Sequence, residues 1–118
     1  MSYDIYLKDP VTKKTIELDT NHHIIGGTYV AGDTKEAWLN ITYNYADIFY
    51  KLFGEYGIRI LYGLSGADSI NLLEDAISKL ADDVNDDYWK TTEGNVKKVL
   101  YGLLAFARLK PDGIWDGD

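Results

Sequence analysis

The sequence predicts an α+β domain, with a small N-terminal antiparallel sheet followed by three amphipathic helices packed on it. Two observations predict this class. Residues 37–45 alternate between apolar and polar side chains without a break, which is the period of a half-buried strand. After Tyr45 the apolar residues recur about every 3.6 positions, as in an amphipathic helix. The 118 residues contain no linker or repeat and fit one domain.

The first strands are expected to form a hairpin. Residues 3–8 alternate weakly, and residues 15–18 read Thr-Ile-Glu-Leu after a polar stretch. Asp9 and Pro10 stand between the two segments, and this dipeptide favours a turn.

A polar, turn-prone segment over residues 19–23 leads to a strand interrupted at Gly26 and Gly27. Adjacent glycines inside a β pattern mark a bulge or a point where another group approaches the backbone closely. Pairing with residues 37–45 would place this segment beside the longest predicted strand.

The strand over residues 37–45 has two faces of different chemistry. Its apolar face consists of Ala37, Leu39, Ile41, Tyr43 and Tyr45. Its polar face consists of Trp38, Asn40, Thr42 and Asn44. Exposure of an indole to water is unfavourable, so an indole in an otherwise polar row suggests that another group covers it. The polar face is therefore either a solvated sheet surface or the floor of a binding site.

The first helix is predicted over residues 46–56, ending near Gly57, with Asn44 as its N-cap. Asp47 adds negative charge to the first turn, where the helix dipole favours it. The apolar segment 57–63 fits either a strand or a turn of helix.

Two further helices follow. Ser65 is expected to cap the second helix, which continues to about Ala81. Thr91 or Thr92 opens the third helix, and Pro111 stops it. The last residues are polar apart from an isoleucine and a tryptophan, which should dock on the body of the domain.

An acidic loop is predicted between the second and third helices. Its carboxylates are Asp82, Asp83, Asp86 and Asp87, and like charges four residues apart weaken a helix. A calcium-loop frame that starts at Asp83 puts Tyr88 where glycine is required and Gly94 where a carboxylate is required. A solvated acidic loop is the better interpretation, and no metal site is predicted.

Charge and composition exclude several classes of protein. The formal net charge is −7 and there is no cysteine, so disulfides, thiol catalysis and thiolate zinc sites are excluded. An acidic protein adheres poorly to polyanions, so neither direct nucleic-acid binding nor membrane binding is expected. With no signal-like segment, the expected location is the cytoplasm.

The residues give little support for an enzyme. The histidines, His22 and His23, are adjacent and would point to opposite faces of a strand. No serine stands in a nucleophile-elbow pattern, and the glycine pair is too short for a phosphate loop. A binding protein without catalysis and without a cofactor is favoured.

The leading hypothesis is a site for a small anionic or nucleotide-like ligand. Trp38, Tyr29 or Trp89 would stack on a base. Polar contacts are expected from the remaining polar-face residues, a phosphate at the backbone amides of Gly26 and Gly27, and charge support from a histidine or Arg59. The predicted residues are His22, His23, Gly26, Gly27, Thr28, Tyr29, Trp38, Asn40, Thr42, Asn44, Arg59 and Trp89.

Two alternatives stay open. The first is an acidic inhibitor that mimics nucleic acid and presents the four loop aspartates, with Tyr88, to a basic host protein. The second is a small structural or assembly component that forms a homo-oligomer through exposed tyrosines.

The sequence resembles a family of small bacteriophage and prophage proteins. The resemblance rests on MSYDI at 1–5, GGTY at 26–29, EAWLNITYNY at 36–45, YW at 88–89, TEGN at 92–95 and RLKPDGIWDGD at 108–118. The resemblance does not imply any particular biochemical activity for this chain. It implies a counter-defence role, directed at a host immune protein or its signalling nucleotide, as an expectation by analogy.

Overall fold

A computed structural model describes residues 1–22 and 33–118 and confirms the α+β class. The strands are β1 (Ser2–Lys8), β2 (Glu17–His22), β3 (Thr34–Glu36), β4 (Trp38–Thr42) and β5 (Ile114–Gly117). The α-helices are α1 (Ala46–Phe53), α2 (Gly66–Ser78) and α3 (Glu93–Leu109). No helix in these two ranges has the length and apolarity needed to span a membrane.

The main sheet is antiparallel, with β1 between β4 and β5. In this register Tyr6 lies opposite Trp38 on one side and opposite Asp116 on the other. Because side chains alternate along a strand, Ile5 and Leu7 point to the opposite, inner face, where both are fully buried.

The helices pack on the inner face of this sheet and share one hydrophobic core with it. Fully buried members of the core include Ile5, Leu39, Ile41, Phe49, Ile58, Leu73, Leu100, Leu103 and Phe106.

The tail docks on the body, as the sequence predicts, but it does so as a strand. Trp115 of β5 is only 1% exposed, and its indole Nε1 donates to the Ser69 hydroxyl over 2.8 Å. A buried indole N–H needs such a partner. The N-terminal sheet is thus completed by the last residues of the chain.

The first hairpin forms its turn but not its full ladder. The Asp9 carboxylate accepts hydrogen bonds from the amides of Val11 and Thr12 at 2.8 and 2.9 Å, and Lys8 forms a single antiparallel bridge with Thr15. The next strand, β2, is not part of the main sheet and pairs with β3 in a separate two-stranded sheet. The main reason is that β1 is already flanked by β4 and β5.

The predicted nine-residue strand is shorter than expected. It ends at Thr42, and Tyr43–Tyr45 form a 3₁₀ turn that leads into α1. Asn44 does not cap the helix; its own amide donates to the Thr42 hydroxyl over 3.2 Å. The first helix ends at Phe53, before the predicted boundary.

The other predicted caps are confirmed. The Ser65 hydroxyl caps α2 and the Thr92 hydroxyl caps α3, each by accepting an amide hydrogen bond from the first turn. The second helix ends at Ser78, three residues earlier than expected. The ambiguous segment is a 3₁₀ helix over Gly57–Leu61.

Candidate functional site

The outer face of the main sheet is the strongest candidate site. Its side chains are partly exposed, whereas those of the inner face are buried against the helices. The face comprises Ser2, Asp4, Tyr6 and Lys8 from β1, Trp38 and Asn40 from β4, and Asp116 from β5. Two aromatic rings, Tyr6 and Trp38, thus occupy neighbouring positions outside the hydrophobic core.

One carboxylate orients the polar groups of this face. Asp4 Oδ1 accepts from the Trp38 indole Nε1 at 3.1 Å and from the Asn40 amide at 2.8 Å. The same amide nitrogen donates to the Ser2 hydroxyl at 2.8 Å. Hydrogen bonds to a charged acceptor are stronger than neutral ones, so the indole and the amide are held in fixed orientations before any ligand arrives.

The charges of the outer face disfavour a phosphate there. Lys8 Nζ lies 2.8 Å from Asp116 Oδ2. This hydrogen bond raises the pKa of Lys8 and lowers the pKa of Asp116, so both groups stay charged and compensate each other near neutral pH. Asp4 then leaves the face negative. Neutral rings, hydroxyls and amides suit this surface better than anions.

Two predicted residues, Thr42 and Asn44, are not accessible on this face. Thr42 lies opposite Ser2 in the register of β1 and β4, but it is only 1% exposed. The Asn44 side-chain amide donates to the Trp89 carbonyl over 3.0 Å, and the Thr91 hydroxyl donates to the Asn44 carbonyl over 2.7 Å. Because the chain turns after Thr42, Asn44 faces the loop before α3, and the polar row ends at Asn40.

Arg59 lies on the helical side of the sheet rather than beside Trp38. Its guanidinium carbon lies 4.8 Å from the centroid of the buried Tyr3 ring and 5.9 Å from that of Tyr43. Its Nε donates to the Asp118 carbonyl over 2.8 Å. The cation–π contacts hold the guanidinium against the two rings, and the hydrogen bond ties Asp118 to it.

His22 is also remote from the Trp38 row. Its Nε2 donates to the Glu36 carbonyl over 2.6 Å, and its ring centroid lies 5.1 Å from that of Phe106 in α3. The predicted pairing of this region with residues 38–44 is wrong for His22, because β2 pairs with β3. The other predicted members lie outside the described residues; they are His23, Gly26, Gly27, Thr28 and Tyr29.

The acidic segment is a loop, as predicted, and its four aspartates are exposed. Asp82 forms an ion pair with Lys97 at 2.7 Å. Asp83 Oδ1 accepts from the Gly94 amide at 3.2 Å, and Asp87 Oδ1 accepts from the Trp89 amide at 3.1 Å. Within the described ranges, no three potential ligands group closely enough to hold a metal ion.

A buried asparagine in α3 organises this loop. Asn95 is 4% exposed. Its side-chain nitrogen donates to the carbonyls of Asp87 and Lys90 at 3.2 and 2.9 Å, and its Oδ1 accepts from the Asn85 amide at 3.0 Å. Sequence reasoning missed Asn95, because an asparagine in the first turn of a helix has no pattern that distinguishes it.

The loop is also tied to the 3₁₀ turn after β4 through Tyr45. The Tyr45 hydroxyl donates to the Tyr88 carbonyl. Burial raises the pKa of Tyr45 to about 12. Beside this anchor Trp89 remains 46% exposed, with its ring tilted against that of Tyr88 at a centroid distance of 5.2 Å.

Sequence reasoning also missed Asp4 and Tyr6 as members of the site. The alternation of residues 3–8 predicts a strand, but only the pairing of β1 with β4 brings Asp4 opposite Asn40 and Tyr6 opposite Trp38.

Comparison with known proteins identifies no relative of this chain. No family model, no curated protein and no solved structure matches the chain. Function is therefore inferred from the chemistry of the site.

Proposed function

We propose that the protein is a non-catalytic binding protein whose outer sheet face holds a small nucleotide-like ligand by its base and sugar. The observation that carries the proposal is the pair of neighbouring rings, Trp38 and Tyr6, beside polar groups oriented through Asp4. Aromatic side chains stack on the face of any base, at about 1–3 kcal/mol per base. The Asp4 carboxylate has acceptor capacity beyond its hydrogen bonds to Trp38 and Asn40, which suits the N–H edges of a base and the hydroxyls of a sugar.

The phosphate end of such a ligand would lie beyond this face, because the uncompensated charge of Asp4 repels it. Backbone amides at Gly26 and Gly27 stay the predicted phosphate contact, and they lie outside the described residues. Sequestration of a signalling nucleotide of host immunity is the biological role we propose, by analogy with the phage proteins that the sequence resembles.

The test is a thermal-shift screen with nucleosides, mononucleotides and cyclic oligonucleotides. A ligand at about 100 times its Kd stabilises the folded state by about 2.7 kcal/mol, which raises the Tm by roughly 11 °C. Replacement of Trp38 and Asn40 together by alanine should abolish the shift. Trp89→Ala is the matched control, because this exposed indole lies in the acidic loop. Equal shifts in the wild type and the double variant would refute the site.

A second candidate function is inhibition of a basic protein through the acidic loop. It is favoured by the way Asn95 holds the loop in one conformation, because a pre-ordered loop loses less entropy on binding. The exposed Trp89 among carboxylates also has the chemistry of an interface anchor.

Salt and charge neutralisation separate the two functions. Exchange of Asp82, Asp83, Asp86 and Asp87 for asparagine keeps the side-chain acceptors that the loop uses and removes four charges. Such a variant should lose a salt-sensitive protein partner and keep a stacked ligand. Retained partner binding in this variant would rule out the acidic-inhibitor function.

A further inference from the structure

A groove beside α1 is separate from the outer sheet face, and we call it the α1 groove. Its volume is about 500 Å³, which is within the range of small-molecule sites. One wall consists of Asp47, Ile48, Lys51 and Leu52 of α1. The other walls come from the end of α2 and from the segment that leads into α3.

The α1 wall carries two parallel rows of different chemistry. Residues four apart on a helix lie on one face, with their Cβ atoms about 5–6 Å apart, so Asp47 and Lys51 form an exposed charged row. Ile48 and Leu52 form a partly buried apolar row beside it. Leu80, which follows α2 and is only 8% exposed, lines the same groove. A ligand in the groove can therefore contact two opposite charges and an apolar surface at once.

Both charges of this row are available to a ligand. Within residues 1–22 and 33–118, neither Asp47 nor Lys51 forms an ion pair. The equivalent pair on α2 is closed, because Lys79 Nζ lies 2.9 Å from Asp75 Oδ2. A ligand with one charge of each sign would pair with both groups of the α1 row.

The wall before α3 is negative and is held by the backbone. Asp83 Oδ1 accepts from the Gly94 amide at 3.2 Å, and Glu93 Oε1 accepts from the Ala81 amide at 3.0 Å. Each carboxylate has acceptor capacity beyond this one bond. The wall therefore repels a ligand that carries only negative charge, whereas Lys51 repels one that carries only positive charge.

The acceptor and the donor on α1 are offset along the groove. The Thr91 hydroxyl donates to the Asn44 carbonyl over 2.7 Å, so the start of α1 lies against the residues that precede α3. Asp47 is in this first turn. Lys51 lies one turn, about 5–6 Å, further along the helix axis. The groove can thus receive an ammonium group and a carboxylate at neighbouring positions.

We infer that the α1 groove binds a zwitterionic α-amino acid with an apolar side chain. Its ammonium group lies at Asp47, and its carboxylate lies at Lys51, whose flexible four-carbon stem lets the charge reach it. Its side chain covers Ile48, Leu52 and Leu80, which removes apolar surface from water. This site is independent of the function proposed for the outer sheet face.

The test is a titration of L-leucine into ¹⁵N-labelled protein, followed by amide chemical shifts. Three comparison compounds each lack one feature: L-leucinamide lacks the carboxylate, N-acetyl-L-leucine lacks the ammonium group, and glycine lacks the apolar side chain. We expect saturable shifts of α1 amides with L-leucine and weaker binding of all three comparison compounds. The Trp38 indole signal should not move, which separates this site from the sheet face.

Two variants identify the charge that each residue binds. Lys51→Ala should weaken the binding of L-leucine about two- to fivefold, the range of one exposed ion pair, and leave the binding of L-leucinamide unchanged. Asp47→Asn should weaken the binding of L-leucine to a similar degree and leave the binding of N-acetyl-L-leucine unchanged. Both side chains are exposed, so the fold should persist, which circular dichroism can check.

Lys98→Ala and Asp86→Asn are the matched controls, because both residues are exposed and lie outside the lining of the α1 groove. They should leave the affinity for L-leucine unchanged. Three results would overturn the inference: no saturable shift with L-leucine, binding of L-leucinamide or N-acetyl-L-leucine as tight as that of L-leucine, or weakening by Lys51→Ala no larger than by Lys98→Ala.

Discussion

Replacement of Asn95 by alanine should destabilise the protein through the loop before α3. The side chain makes three hydrogen bonds, to backbone groups of Asn85, Asp87 and Lys90. At about 0.5–1.5 kcal/mol each, their loss costs about 1.5–4.5 kcal/mol. Alanine is the better helix former by up to about 0.7 kcal/mol, so the expected net loss is about 2 kcal/mol.

The free energy of unfolding should be measured by urea denaturation, followed by circular dichroism in the far ultraviolet. For a domain of this size, a loss of about 2 kcal/mol lowers the Tm by roughly 8 °C. Asn71→Ala is the control, because Asn71 is exposed on α2 and surface substitutions change stability by about 0.5 kcal/mol or less.

Hydrogen exchange provides a second reading of the Asn95 variant. Amides of residues 85–90 should exchange faster, because their restraint has been removed. A loss of stability no larger than that of Asn71→Ala, with unchanged exchange in the loop, would refute the assigned role of Asn95.

Two further substitutions test the same region. Gly94→Ala would place a Cβ 2.6 Å from backbone atoms of Asp83 and Val84, so urea unfolding should show a loss of about 1–3 kcal/mol; a neutral result would mean that the loop moves freely. The raised pKa of Tyr45, about 12 against an ordinary 10.0, means that the folded state favours the protonated phenol. Its contribution to stability is complete below pH 10 and is lost as pH rises through 12, and Tyr45→Phe should show a smaller loss over this interval.

The sequence predicts those parts of the fold that depend on neighbours along the chain. Ser65 and Thr92 cap their helices as expected, because a hydroxyl before an apolar repeat needs only the next turn as its partner. Pro111 likewise limits α3, which ends at Leu109.

Features that depend on distant contacts were not predictable. β5 pairs with β1 across more than a hundred residues, and the tail pattern does not indicate which strand it joins. The long strand ends at Thr42 because Asn44 and Tyr45 bond to the loop before α3. Alternation alone would continue the strand through those positions.

The candidate site was likewise predictable only in part. Periodicity predicts that Trp38 and Asn40 share a face, which the register of β4 confirms. Asp4 and Tyr6 could not be assigned from periodicity, because their place beside Trp38 follows from strand pairing. Arg59 was placed wrongly because the sequence does not show that its guanidinium packs on Tyr3.

The most direct test of the proposed function is a titration of nucleosides and nucleotides into ¹⁵N-labelled protein, monitored at the indole N–H signals. Trp38 is on the outer face, Trp89 is in the acidic loop, and Trp115 is buried as an internal reference. The proposal predicts a saturable shift of the Trp38 signal and of β1 and β4 amides, with Trp89 and Trp115 unchanged. Saturable shifts centred on Trp89, or no shift of Trp38 with any compound, would contradict it.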